Sequence, residues 1–126
     1  MDILCPVSLG ELVDKISILK IKSKFIKDKE KLKHVRLELT KLETTLDQLN
    51  LKGIDAHLEG LVEVNRQLWK IEDDIREKER EKSFDQKFIE LARAVYHTND
   101  ERFRKKDQIN REFGSIIVET KSYKDY

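Results

Sequence analysis

One apolar stripe constrains this chain more than any other feature. Ile18, Ile21, Phe25, Asp28, Leu32, Val35, Leu39, Leu42, Leu46 and Leu49 follow one another at steps that alternate three and four. That spacing is the a/d seam of a coiled coil, and only helices can present it as a continuous face. Ser8 with Glu11 three residues on forms a capping box, so the helix is expected to start there. Unbroken over 8–50, it would be about 64 Å long. Asp28 is the single carboxylate on the stripe. If the helix breaks, Asp28 is where a second helix would begin, with its side chain as N-cap.

The stretch "NLKGID" at 50–55 reads as a turn, with Gly53 as the helix C′ residue and Asp55 as the next N-cap. Beyond it the seam resumes at Ile54, His57, Leu61, Val64, Leu68, Ile71 and Ile75. An antiparallel hairpin of the two seams sets Leu42 opposite Leu61, Leu39 opposite Val64 and Leu32 opposite Ile71. Capping boxes at Ser83–Gln86 and Thr98–Glu101 predict two short helices, the second ending at Gly114, and "SIIVETKSYKDY" reads as an extended tail. A second stripe, Leu9, Leu12, Val13, Ile16 and Leu19, points away from the seam and needs a cover, which the C-terminal helices can supply.

The expected fold is therefore all-α. A long, coiled-coil-like antiparallel helical hairpin spans about 8–82, with short C-terminal helices (about 83–114) packed as an end-cap on the N-terminal end of helix 1 and a tail over 115–126. The 126 residues suffice for a single domain. Charged residues make up 40% of the chain, with one Pro and four Gly, a composition suited to solvated helices rather than loop-rich folds. No apolar run approaches the 18 or more residues that a membrane-spanning helix needs, and the N-terminus lacks a secretory pattern. With a lone cysteine, Cys5, a reducing, cytoplasmic location is expected.

The segment "LWKIEDDIREKEREK" (68–82) raises the question of an acid/base or metal site. Arg76, Lys78 and Arg80 stand three or four residues from Glu72, Asp73 and Asp74, the spacing of surface ion pairs, so a salt-laced wet face is expected. Trp69 lies one step off the seam in line with Leu58, Val62 and Asn65, which makes Leu58, Val62 and Trp69 a candidate interface. Charge runs +4 over 1–36, −5 over 37–90 and +2 over 91–126. This layout suits internal or head-to-tail pairing, and a homodimer or a helical protein partner is expected. Eight lysines between residues 15 and 33 lie scattered around the predicted helix with no interleaved aromatic platform, so nucleic acid is not the expected partner.

The candidate polar cluster is Glu11, Asp14, Lys15, Arg93, Tyr96, Asn99, Asp100, Arg102, Lys121 and Tyr123, gathered at the bundle's end by the hairpin register. It could hold a nucleotide, a sugar nucleotide or a small anion, or form a structural network. His34, His57, His97 and Cys5 share no metal-ligand spacing; no phosphate loop, zinc motif or nucleophile elbow is present, and no cofactor or catalytic residue is evident.

The stretches "PVSLGELVDKISILKIK", "LWKIEDDIREKE", "FIELARAVYHTNDERFRKKDQIN" and "IVETKSY" resemble an uncharacterised family of short bacterial proteins, a domain of unknown function also found in marine phage genomes. The resemblance covers nearly the whole chain and implies a free-standing cytoplasmic protein without assigning an activity. The primary expectation is a non-enzymatic interaction or oligomerisation module. The alternative is a small-ligand protein or metal-dependent nucleotide hydrolase. One version is similar to the all-α nucleoside-triphosphate pyrophosphohydrolases, where Glu11 and Asp14 would be half of a Mg²⁺ set completed by Glu72–Asp74. That version requires the helix to break at Asp28.

Overall fold

The computed structural model describes residues 1–126, and the chain is all-α with no strand. Helix α1, Leu9–Phe25, starts as its capping box dictates, with the Ser8 hydroxyl accepting from the Glu11 amide at 3.1 Å. It does not continue along the seam. Ile26 is extended, and Asp28 caps a new helix by accepting from the Lys31 amide at 2.9 Å. A carboxylate on a buried seam would need a partner there, whereas at a helix start it satisfies an orphan N–H in water. The seam therefore divides at its one discordant residue.

Helix α2, Lys29–Asp47, folds back onto α1 after a three-residue link. Asn50 and Gly53 then carry positive φ, 50° and 86°, and Gly53 occupies the N-cap position of α3, Ile54–Arg80. Asp55, expected as that cap, lies inside the first turn. Helix α4 spans Gln86–Glu112, with Asp85 rather than Ser83 as N-cap, accepting from the Phe88 amide at 3.0 Å.

Two expectations need correction. The paired seams of the predicted hairpin do not meet as drawn: no α-carbon of α2 comes within 8 Å of α3 or α4, so Leu32–Ile71, Leu39–Val64 and Leu42–Leu61 are not facing pairs. Leu39 and Leu42 reach the core cluster from beside α1. The two short C-terminal helices are one helix, α4, and the box at Thr98 opens nothing. No Gly or Pro interrupts 86–112, and residues on both sides of the box are buried along one helix, Leu91 before it and Lys106, Ile109 and Asn110 after it, so packing overrides the local start signal. The long antiparallel hairpin is formed by α3 and α4, each of 27 residues and about 40 Å. The Lys78–Asp85 ion pair and the His57–Glu112 contact mark its two ends.

Helix α1 lies in the groove of this hairpin, parallel to α3 and antiparallel to α4. Asp14 meets Asn65 while Phe25 stacks on Trp69, and Gly10 meets Asn110 while Asp14 meets Arg102. Val13, Ile16, Leu46, Ile54, Leu61 and Ile109 form the buried core, so all four helices contribute. Helix α4 closes with Gly114 at φ 69° and the Ser115 amide returning to the Asn110 carbonyl at 2.8 Å, a Schellman stop that aims the tail back past the start of α1.

Candidate functional site

Where α1, α3 and α4 cross, the core is polar. Asp14 is 1% exposed, and its carboxylate accepts two bonds from Arg102, Nε to Oδ1 at 2.9 Å and Nη2 to Oδ2 at 2.5 Å. Asn65 Nδ2 donates to the same Oδ1 at 2.9 Å and to Ser17 Oγ at 2.8 Å, while Ser17 Oγ donates to the Asp14 carbonyl at 2.5 Å. One turn toward the helix start, the buried Lys106 ammonium bridges Glu11 at 3.0 Å and Glu119 of the tail at 2.5 Å. Below that, the Gly10 amide donates to Asn110 Oδ1 at 2.7 Å. No buried side-chain nitrogen or oxygen lacks a partner. Such a network holds three helices in one register, because each charge is costly anywhere else.

The electrostatics follow the geometry. The Asp14 hydrogen bonds hold the Arg102 guanidinium more firmly protonated than usual. Burial by itself depresses Lys106, but its hydrogen bonds to Glu119 and Glu11, with the Asp14 charge behind them, more than offset it and the net shift is upward. A lysine raised on folding contributes stability that is complete below its unfolded value near 10.4 and disappears as pH rises through the folded value. Wild type is therefore expected to lose more stability than Lys106→Met as pH rises above the unfolded lysine value of about 10.4. Denaturant titrations across that rise test this, and parallel curves for the two proteins would refute it.

The expected cluster divides in three. Glu11, Asp14 and Arg102 enter the buried network. Tyr96, Asn99, Asp100, Lys121 and Tyr123 line a cleft of about 990 Å³ between α4 and the tail. There Lys121 lies over the Phe103 and Tyr123 rings, and the Tyr126 hydroxyl bonds Asp100. Lys15 turns away to Glu38 on α2 at 3.1 Å, and Arg93 is exposed on α4. Of the candidate interface, Leu58 packs on the core, Val62 is half-buried, and Trp69 stacks on Phe25 with centroids 5.8 Å apart. Glu72 and Asp74 pair with Arg76 and Lys70 one turn away. No three His, Cys, Asp or Glu side chains converge on a point that could hold a metal ion.

Sequence reasoning missed Ser17, Asn65, Lys106, Asn110 and Glu119. Asn65, in line with Val62 and Trp69, is a polar residue on an otherwise apolar flank, and that discord was its only signal. The break at Asp28 gathers Lys22, Lys24, Lys27, Lys29, Lys31 and Lys33 at the α1–α2 corner, none of them in an ion pair, instead of distributing them around one rod.

A family model matches residues 3–126. The chain belongs to a family of unknown function, DUF6165. The match spans the four helices and the tail alike, so the Asp14 network and both terminal segments lie within the family's domain. No curated protein and no solved structure matches the chain.

Proposed function

We propose that this DUF6165 chain is a non-enzymatic helical interaction module that self-associates through the end of the bundle where α1 starts and α4 stops. The carrying observation is an apolar end that no helix of the chain covers. Ile3, Leu4, Val7, Ile116, Ile117 and Val118 are all exposed. The Leu9 amide donates to Ser115 Oγ at 3.2 Å, and Asp2 pairs with Lys41, which brings both terminal segments to that end. Several charged groups near it are already paired within the chain, Asp2 with Lys41 and Lys106 with Glu11 and Glu119. An apolar patch is matched by another such patch opposite, and a two-fold axis supplies it from a second copy.

Sedimentation of the full chain tests the proposal. Wild type is expected at twice the 15.0 kDa chain mass, and Leu4→Asp with Ile117→Asp at the monomer mass with an unchanged helical spectrum. Trp69→Ala is expected to lose its stacking on Phe25 but to stay dimeric. A monomeric wild type at high micromolar concentration would end the proposal.

A second reading, small-ligand binding, is supported by the cleft between α4 and the tail, where an amide, a phenol, a carboxylate and an ammonium from the candidate cluster meet. A thermal-shift panel of nucleotides, sugar nucleotides and simple anions tests it. A shift of several degrees that Tyr123→Ala removes would support it, and a flat panel would not.

A further inference from the structure

A second cleft, of about 360 Å³, opens where α1, α3 and α4 diverge above the Asp14 network. Its floor is Asn65 and Arg102. The orientation of the Asn65 amide follows from its neighbours. Ser17 Oγ commits its proton to the Asp14 carbonyl and Asp14 Oδ1 is a carboxylate oxygen, so both must face Nδ2. Asn65 is 95% buried, yet its Oδ1 accepts no hydrogen bond from the chain, and no polar atom is sealed away unpaired. That oxygen therefore reaches the cleft. Beside it, Arg102 spends two N–H groups on Asp14, leaving the rest of its fork available. Both side chains bind the same Oδ1 and both line the cleft, so an acceptor and donors not used within the chain belong to one space, held by a buried anion.

Ile18, Ile21, Leu68 and the Trp69 indole give it apolar walls. Glu72 and Asp73 stand at the rim, and Asn99, which makes no hydrogen bond within the chain, lines the cleft from α4. Arg102 is neutralised by Asp14 and Arg76 by Glu72, while Asp73 has no partner, so the cleft carries no surplus positive charge for a phosphate.

We propose that this cleft binds a neutral nucleobase or nucleoside. The complementary ligand edge has a donor next to an acceptor, as the Watson–Crick edges of nucleobases do. Its planar face suits an indole and branched aliphatic walls, and the rim carboxylates suit pentose hydroxyls. The site is separate from the apolar bundle end and does not depend on self-association.

Trp69 is the only tryptophan and lines the cleft, so its fluorescence reports occupancy directly. The full chain is titrated with free bases and with adenosine, guanosine, cytidine and uridine, alongside their monophosphates, ribose and glucose. At least one base or nucleoside is expected to give a saturable change with a dissociation constant tighter than about 1 mM. Asn99→Ala and Asp73→Ala, neither of which removes an internal hydrogen bond or ion pair, are each expected to weaken it by up to about tenfold with unchanged melting. Tyr123→Ala, in the other cleft, is expected to leave it unaltered. The proposal fails if no base or nucleoside saturates, if the monophosphate binds more tightly than its nucleoside, or if ribose or glucose alone binds as well. It fails equally if the response survives both cleft variants undiminished or is lost in Tyr123→Ala.

Discussion

Arg102→Ala is expected to lower the unfolding free energy by about 3 kcal/mol, the lower end of the range for breaking a buried ion pair. Asp14 stays fully inside when its partner is removed, with only Asn65 donating to its carboxylate. The lower end applies because the Arg102 side chain is itself 28% exposed and water can enter the space it leaves. For a domain of this size that is roughly a 10 °C fall in Tm. Replacing both partners, Asp14→Leu with Arg102→Leu, is expected to recover part of the loss, since the stranded charge is gone. Chemical denaturation of the single and double variants measures both. A single-variant loss below about 1 kcal/mol would mean that the pair does not hold the three helices together.

Gly10→Ala is the second large effect, and its sign reverses the usual helix rule. A Cβ at residue 10 would stand 2.5 Å from the Lys106 carbonyl oxygen and 3.0 Å from Asn110 Oδ1. The first is backbone, so α4 must move away from α1. Overpacking of this kind costs about 1–3 kcal/mol, and the Gly10–Asn110 hydrogen bond is worth about 1 kcal/mol more. Against these, alanine adds only about 0.8–1 kcal/mol of helix propensity. A net loss of about 1–3 kcal/mol is expected. Gly60→Ala is the control: its Cβ would meet only the flexible end of Lys105, at 3.7 Å, so a gain of about 0.5–1 kcal/mol is expected. Equal and stabilising effects at both glycines would contradict the close approach of α1 and α4. Because that approach also positions Arg102, the Gly10→Ala and Arg102→Ala losses should sum to less than additively.

Legibility in the sequence differed from residue to residue for physical reasons. Ser8 was legible as a cap because capping involves only a few neighbours, and it caps as read, while Asp28 was legible as a cap only on the condition that the helix breaks, which the structure meets. Thr98 carried the same local signal and starts nothing, because burial of Leu91 before it and of Lys106, Ile109 and Asn110 after it outweighs the roughly 1 kcal/mol a cap supplies. Glu11 and Asp14 were legible as carboxylates on an apolar helix start, and Arg102 as one of several cations that could meet them. Asn65 was legible only as a polar misfit. Lys106 was not legible at all, since nothing about an isolated lysine distinguishes one that will be buried between Glu11 and Glu119 from one in water.

By itself the sequence determined the helical periodicity, the residue at which the long seam could divide and the apolar faces that had to be covered. These depend on spacing along the chain and on contacts within a few residues. The tertiary structure alone decided which faces cover one another. The a/d pattern is equally satisfied by α2 against α3 and by α2 against α1, and the choice rests on where Asp14, Arg102, Asn65 and Lys106 can all find partners at once. That condition couples residues 14, 65 and 102 across three helices, and no short-range pattern encodes it.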